Sequence, residues 1–227
     1  MLARIGTPLA VALAQSGVST PIRLLEAAGP FHGNEVPPIA GTWFGLGRTE
    51  GGFAWRGYRV TETMVPDPVI DTEGKMTAKQ ITAEGPPPVF LAQGLPFREG
   101  RVASAFWSDS PLSIDYGTNS VTIGLGNQAV TVTLEHAPDH VANPRQRERL
   151  VLESRGIRQV LMEWPDGRFD APVSLIWAGD LDRDGKLDLY MNLSDHYNVS
   201  NRTLLLSARA ARGDIVTQVA VWSTTGC

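Results

Sequence analysis

The chain has 227 residues, 42% hydrophobic and 19% charged, enough for one large β domain or two small ones with a real core and no covalent staples. Its net charge of -4 argues against partners that select basic patches, so neither nucleic acid nor an anionic membrane surface is expected. The one basic cluster, Arg145, Arg147 and Arg149, is interrupted by Gln146 and Glu148 and reads as a solvated loop. A lone cysteine, Cys227, rules out an intrachain disulfide and leaves only an intermolecular bridge. No window reaches the roughly 18 continuous apolar residues of a spanning helix, so the chain is not expected to be an integral membrane protein.

Residues 1–14 hold one basic residue, Arg4, a short apolar run from Pro8 to Leu13 and a cleavage-like Ala12-Leu13-Ala14. They read either as a short export leader or as a ragged start with no targeting role. Thr20-Pro21, the apolar Ile22, Leu24 and Leu25, and Gly29-Pro30 spell cap, first-turn proline, stripe and stop, which predicts a short helix. The proline-rich passage from Pro30 to Pro38 reads as a linker. Residues 1–38 are thus leader, helix and linker, and residues 39–227 a β domain.

From Gly41 onward the pattern predicts strands. Thr42 to Arg48 and Phe53 to Val65 flank Glu50-Gly51-Gly52, whose glycines suit a tight hairpin. Further strands are expected near Val89 to Gln93, Arg101 to Trp107, Val121 to Gly124, Ala129 to Glu135, Leu150 to Ser154 and Arg158 to Trp164. The last four are Val173 to Ala178, Lys186 to Leu193, Thr203 to Ser207 and Ile215 to Trp222. About twelve short strands with little helix between them predict an all-β fold, an antiparallel sandwich or barrel-like sheets. The irregular stretch from His136 to Arg147 is where an internal boundary, near 136–148, would fall.

One segment carries a chemical signal. Asp180-Leu-Asp182-Arg-Asp184-Gly185-Lys186-Leu-Asp188 is DxDxDGxxD. It offers side-chain oxygens at loop positions one, three, five and nine and the Lys186 carbonyl at seven, the alternating oxygen donors that calcium takes. Gly185 permits the sharp turn, and four crowded carboxylates repel one another until a cation neutralises them. The EF-hand's position-twelve glutamate is replaced by Met191, and Leu187, Leu189, Met191 and Leu193 alternate as a strand with one buried face. Val173, Leu175 and Trp177 alternate likewise, so the loop is expected within a β-hairpin near the C-terminus.

The stretch from Trp177 to Leu189 resembles the signature of integrin-like FG-GAP and VCBS repeats, an apolar residue, a DxDxDGxxD loop and a hydrophobic strand. The resemblance implies Ca2+ held by Asp180, Asp182, Asp184, the Lys186 carbonyl and Asp188. The motif occurs once, and Asp71-Thr72-Glu73-Gly74 and Asp166-Gly167 lack the alternating acids, so a propeller of repeated blades is not expected. The chain is also similar to small exported bacterial proteins that end in such a hairpin.

No catalytic constellation emerges. Ser194-Asp195-His196-Tyr197-Asn198 reads as a connection whose side chains satisfy loop backbone. His136, Asp139 and His140 would gather a metal only on a helix, which Pro138 opposes. Gly41-Thr42-Trp43 and the other tryptophans read as core residues, and three crowded glycosylation sequons beginning at Asn192, Asn198 and Asn201 as incidental. The expectation is a calcium-binding, periplasmic or secreted β protein with a structural role or a glycan or protein partner. The alternative is a carbohydrate-active hydrolase with paired carboxylates not distinguishable among 24 acids.

Overall fold

The computed structural model describes residues 21–115, 118–136, 147–168, 171 and 173–226. They form sixteen strands and no helix. The first eight are β1 (Arg23–Leu25), β2 (Phe31–His32), β3 (Trp43–Thr49), β4 (Gly52–Tyr58), β5 (Val60–Val65), β6 (Ala78–Ala83), β7 (Pro88–Gln93) and β8 (Gly100–Ile114). The second eight are β9 (Ser120–Leu125), β10 (Gln128–His136), β11 (Glu148–Ser154), β12 (Ile157–Trp164), β13 (Val173–Asp180), β14 (Asp188–Asn192), β15 (Val199–Leu206) and β16 (Thr217–Thr225). No described helix is long and apolar enough to cross a membrane.

Nine strands make one antiparallel sheet in the order β1-β7-β3-β4-β8-β13-β14-β15-β16. Its two edge strands, β1 and β16, approach each other, so the sheet is nearly closed into a barrel. Inside it lie Trp43, Trp55, Trp177, Tyr190 and Phe90, all fully buried. Burying each such aromatic contributes on the order of 1.5–3 kcal/mol. A second sheet, β12-β11-β10-β9, packs on the outer face of β13 to β15. Here β10 shows why the sequence reads so clearly. Val130, Val132 and Leu134 point into the second core, while Thr131 and Thr133 face outward and bond Thr122 and Ser120 across the pair at 2.9 and 3.1 Å. β13 and β14 lie between the two cores, which is why β14 is buried at every position and β13 at all but its last. The third sheet, β2-β6-β5, reaches the barrel core through Phe31, Ile81 and Val60.

The predicted helix over residues 21–28 is absent. In its place β1 runs antiparallel to β7, with Arg23 opposite Gln93 and Leu25 opposite Leu91, and it buries Leu24 and Leu25. Three apolar residues in four positions fit either period, and the open edge of β7 supplies the hydrogen bonds that decide for a strand. Within the passage read as a linker, β2 pairs with β6, Phe31 opposite Lys79. β6 itself was not foreseen, since only Ala78 and Ile81 of its six residues are buried. The anticipated leader lies outside the described residues, as do Cys227, Arg145, Asp139, His140 and most of the 136–148 boundary.

Candidate metal centre

The DxDxDGxxD segment begins on the last residue of β13 and ends on the first of β14, so the hairpin is as the sequence implied. Gly179, just before it, belongs to an irregularity where β13 crosses β8; any Cβ there would collide with the Ala103 carbonyl and the Trp177 ring. Two loop residues adopt the left-handed region, Gly185 at φ 83° and Arg183 at φ 66°. Arg183 is held there by guanidinium bonds to the carbonyls of Arg98 and Glu99.

Each of the first three aspartates spends one oxygen on the loop backbone. Asp180 Oδ2 accepts the Gly185 amide at 3.0 Å, Asp182 Oδ1 the Asp184 amide at 3.1 Å, and Asp184 Oδ1 the Lys186 amide at 2.9 Å. The other oxygens of the first two, Asp180 Oδ1 and Asp182 Oδ2, are buried and have no hydrogen-bond partner among the described residues. Unpaired buried oxygens cost about 1–3 kcal/mol each, more when charged.

Asp188 is fully buried and braced from both sides. Its Oδ2 accepts the Leu181 amide at 2.8 Å, and its Oδ1 the Ser207 amide at 2.8 Å and the Ser207 hydroxyl at 3.0 Å. Burial pushes its carboxyl up to about 7 despite these bonds, and the nearby Asp182 adds to the shift. The Asp182 carboxyl is raised too, first by burial and then by Asp184.

Asp180, Asp182 and Asp188 each bring one oxygen within 4.8 Å of the others. Two calcium ligands on opposite sides of the ion are about 4.6–5.2 Å apart, so this cluster is of the right size for a hard cation, and all three donors are oxygens. Asp184 stands beside the group rather than in it, bonded to Ser207 Oγ at 3.2 Å and paired with the Lys186 ammonium at 3.4 Å.

Ser207 escaped the sequence reading. It lies 19 residues beyond Asp188 and is brought in by the pairing of β14 with β15, Leu189 opposite Leu205. No local pattern could have flagged it. Gln128, at the β9–β10 turn, is a second such residue, accepting the Leu187 amide at 3.2 Å and tying the loop to the four-stranded sheet.

The remaining sequence features resolve into structure. Ser194 bonds the His196 backbone, and His196 Nδ1 lies 2.5 Å from Asn198 Oδ1, in a connection at the far end of β14 from the aspartates. Trp43, Trp55, Trp164, Trp177 and Trp222 are buried, as core residues should be, and Trp107 is partly so. Asp71 uses both oxygens on Asp67 and Thr77 and is a loop brace. Comparison of the chain with protein-family models, with curated proteins and with solved structures gives no match.

Proposed function

We propose that this chain is a calcium-binding β protein of the periplasm or extracellular space, in which the metal fixes the junction between its two packed sheets. The observation that carries the reading is the cluster of Asp180, Asp182 and Asp188, in which Asp180 and Asp182 each keep one buried oxygen without a partner among the described residues. A divalent cation supplies what both lack and offsets the mutual repulsion of the carboxylates. Asp180, Asp182 and Asp188 would hold it directly, with Asp184 and the Lys186 carbonyl completing a shell of six to eight oxygens.

What the metal would do follows from the braces. Asp188 joins β14 to the start of the loop through Leu181 and to the end of β15 through Ser207, while Leu187 reaches the four-stranded sheet through Gln128. A cation held by Asp188 therefore makes the loop, two strands of the long sheet and the second sheet one rigid unit. Cytosolic calcium is too scarce for a modest site, whereas extracellular modules work in the range of about 10⁻⁴–10⁻³ M.

The test is calorimetric titration of the full chain, stripped with chelator, with calcium and with magnesium. One calcium per chain is expected, abolished in Asp182→Ala and retained in Asp195→Ala, whose side chain lies beyond the other end of β14. Calcium uptake unchanged in Asp182→Ala, or no uptake at millimolar calcium, would sink the reading.

A further inference from the structure

The barrel opens at one end into a cavity of about 360 Å³ that the metal loop does not touch. Its apolar side is formed by residues such as Val89 of β7 and Ile176 of β13; its polar side carries Glu26, Arg48 and Arg202, with Trp107 between. Barrel mouths are common ligand sites, and the volume lies at the small end of the usual 300–1,000 Å³ range.

Arg202 is the best-positioned group in it. Tyr190, fully buried in the barrel core, donates its hydroxyl to Glu26 Oε1 at 2.8 Å, and the same oxygen lies 3.0 Å from Arg202 Nε. That Nε is buried and makes no directed hydrogen bond, and the terminal nitrogens of the guanidinium donate to no acceptor among the described residues. A tyrosine, a glutamate and an arginine in series at the end of an apolar core are an expensive way to close a barrel, since replacing such a chain with packed apolar side chains is commonly neutral or stabilising. What the series achieves is a guanidinium kept beside Glu26 on the cavity wall, its terminal nitrogens unpaired among the described residues.

Arg48 supplies a second. Its guanidinium stacks over the Trp107 ring at 4.4 Å, and its one carboxylate contact, to Asp109, is long at 3.4 Å. The stack covers a face of the indole, which removes it as an open platform for a sugar ring. Glu26 and Asp109 balance the two arginines, so the cavity as a whole is neutral and suits a single negative charge better than a doubly charged phosphate.

We propose that this mouth binds a small amphipathic monocarboxylate, its carboxylate on Arg202 and Arg48 and its apolar body against Val89 and Ile176. A guanidinium fork matches a carboxylate through two parallel N–H donors, and fixing it in advance reduces the ordering cost of binding. Tyr190 and Glu26 act as positioning residues for Arg202.

The experiment is titration of the full chain with 3-phenylpropionate, followed by calorimetry and by the indole N–H resonances in a nitrogen-15 spectrum. Saturable binding is expected, with one perturbed indole signal that is missing in Trp107→Phe. The alcohol 3-phenylpropanol, with the same body and no charge, should bind about tenfold or more weaker, as should 3-phenylpropionate to Arg202→Gln. Arg48→Gln, at a more exposed position, is the second variant should Arg202→Gln fold poorly. Tyr190→Phe should weaken binding less than Arg202→Gln, and rescue of affinity is not expected in Arg202→Lys, which lacks the fork. Equal binding of acid and alcohol, full affinity in both arginine variants, tighter binding of inorganic phosphate, or no binding of 3-phenylpropionate would each overturn the proposal.

Discussion

Asp188 is under two opposed influences. It accepts three hydrogen bonds, which hold the loop and β15, and it sits where burial pushes its carboxyl up to about 7. Without metal, the folded state keeps a proton on Asp188 that the unfolded chain has already released, so stability falls as pH rises from roughly 4 to 7 and levels off above. A bound cation replaces that proton and removes the fall. His32 must be separated from this effect: its hydrogen bond to Asp67 raises its pKa, so it adds stability that is complete below 6.5 and lost as pH rises through the raised value. Asp67 works at the other end of the scale, since burial pushes it up but the amides of Val69 and Ile70 and the His32 bond outweigh this, and its contribution is lost only in acid. Neither depends on calcium. The difference between melting temperatures with calcium and with chelator should therefore widen from pH 5 to pH 8, and a difference independent of pH would show that Asp188 is not a ligand. At this scale the sequence was informative about the aspartates because their spacing is local. Ser207 and Gln128, which complete the support, are brought in by β15 and β10 and leave no trace near the motif.

At the scale of elements, the aspartate loop depends on how closely β13 can approach β8. Gly179 makes that approach possible, its Cα lying where a side chain would strike the Ala103 carbonyl and the Trp177 ring. Neither can yield cheaply, as one is backbone in the sheet and the other a fully buried ring. Gly179→Ala should therefore cost about 3 kcal/mol or more, read as a lower urea midpoint with the slope unchanged. Gly185→Ala is the contrast: a Cβ there meets nothing, and only the φ of 83° opposes it, so roughly 1 kcal/mol is expected. If the two cost the same, close packing of β13 on β8 is not what selects glycine at 179. Strands like β10, with one wet face and one dry, were legible from alternation alone. β6 was not, because Lys79 and Gln80 lie half-buried between Ala78 and Ile81 and break the pattern, and β1 was misread because three residues cannot define a period.

For the whole molecule, the order of strands was beyond reach of the sequence. The insertion of β7 between β1 and β3, and the use of β8 to join β4 to β13, are long-range pairings set by shared burial and not by neighbouring residues. Local pattern left sandwich and barrel as alternatives, and the molecule combines them: a nearly closed nine-stranded sheet with a second sheet packed on its outer face. The two cores meet across β13, β14 and β15, and the aspartates sit at the end of that shared wall. A cation there should act on both cores together and not on the loop alone. At one hundred times its dissociation constant it should add about 2.7 kcal/mol. For a domain of this size that is roughly 5 to 11 °C in melting temperature. Hydrogen exchange separates global from local action. If the metal ties the sheets together, calcium should slow exchange at the amides of Leu181 and Ser207, both bonded to Asp188, and equally at core amides of β10 and β13 that open only with the whole fold. Protection confined to residues 181–187 would mean that the cation orders a loop and that the sheets hold together without it.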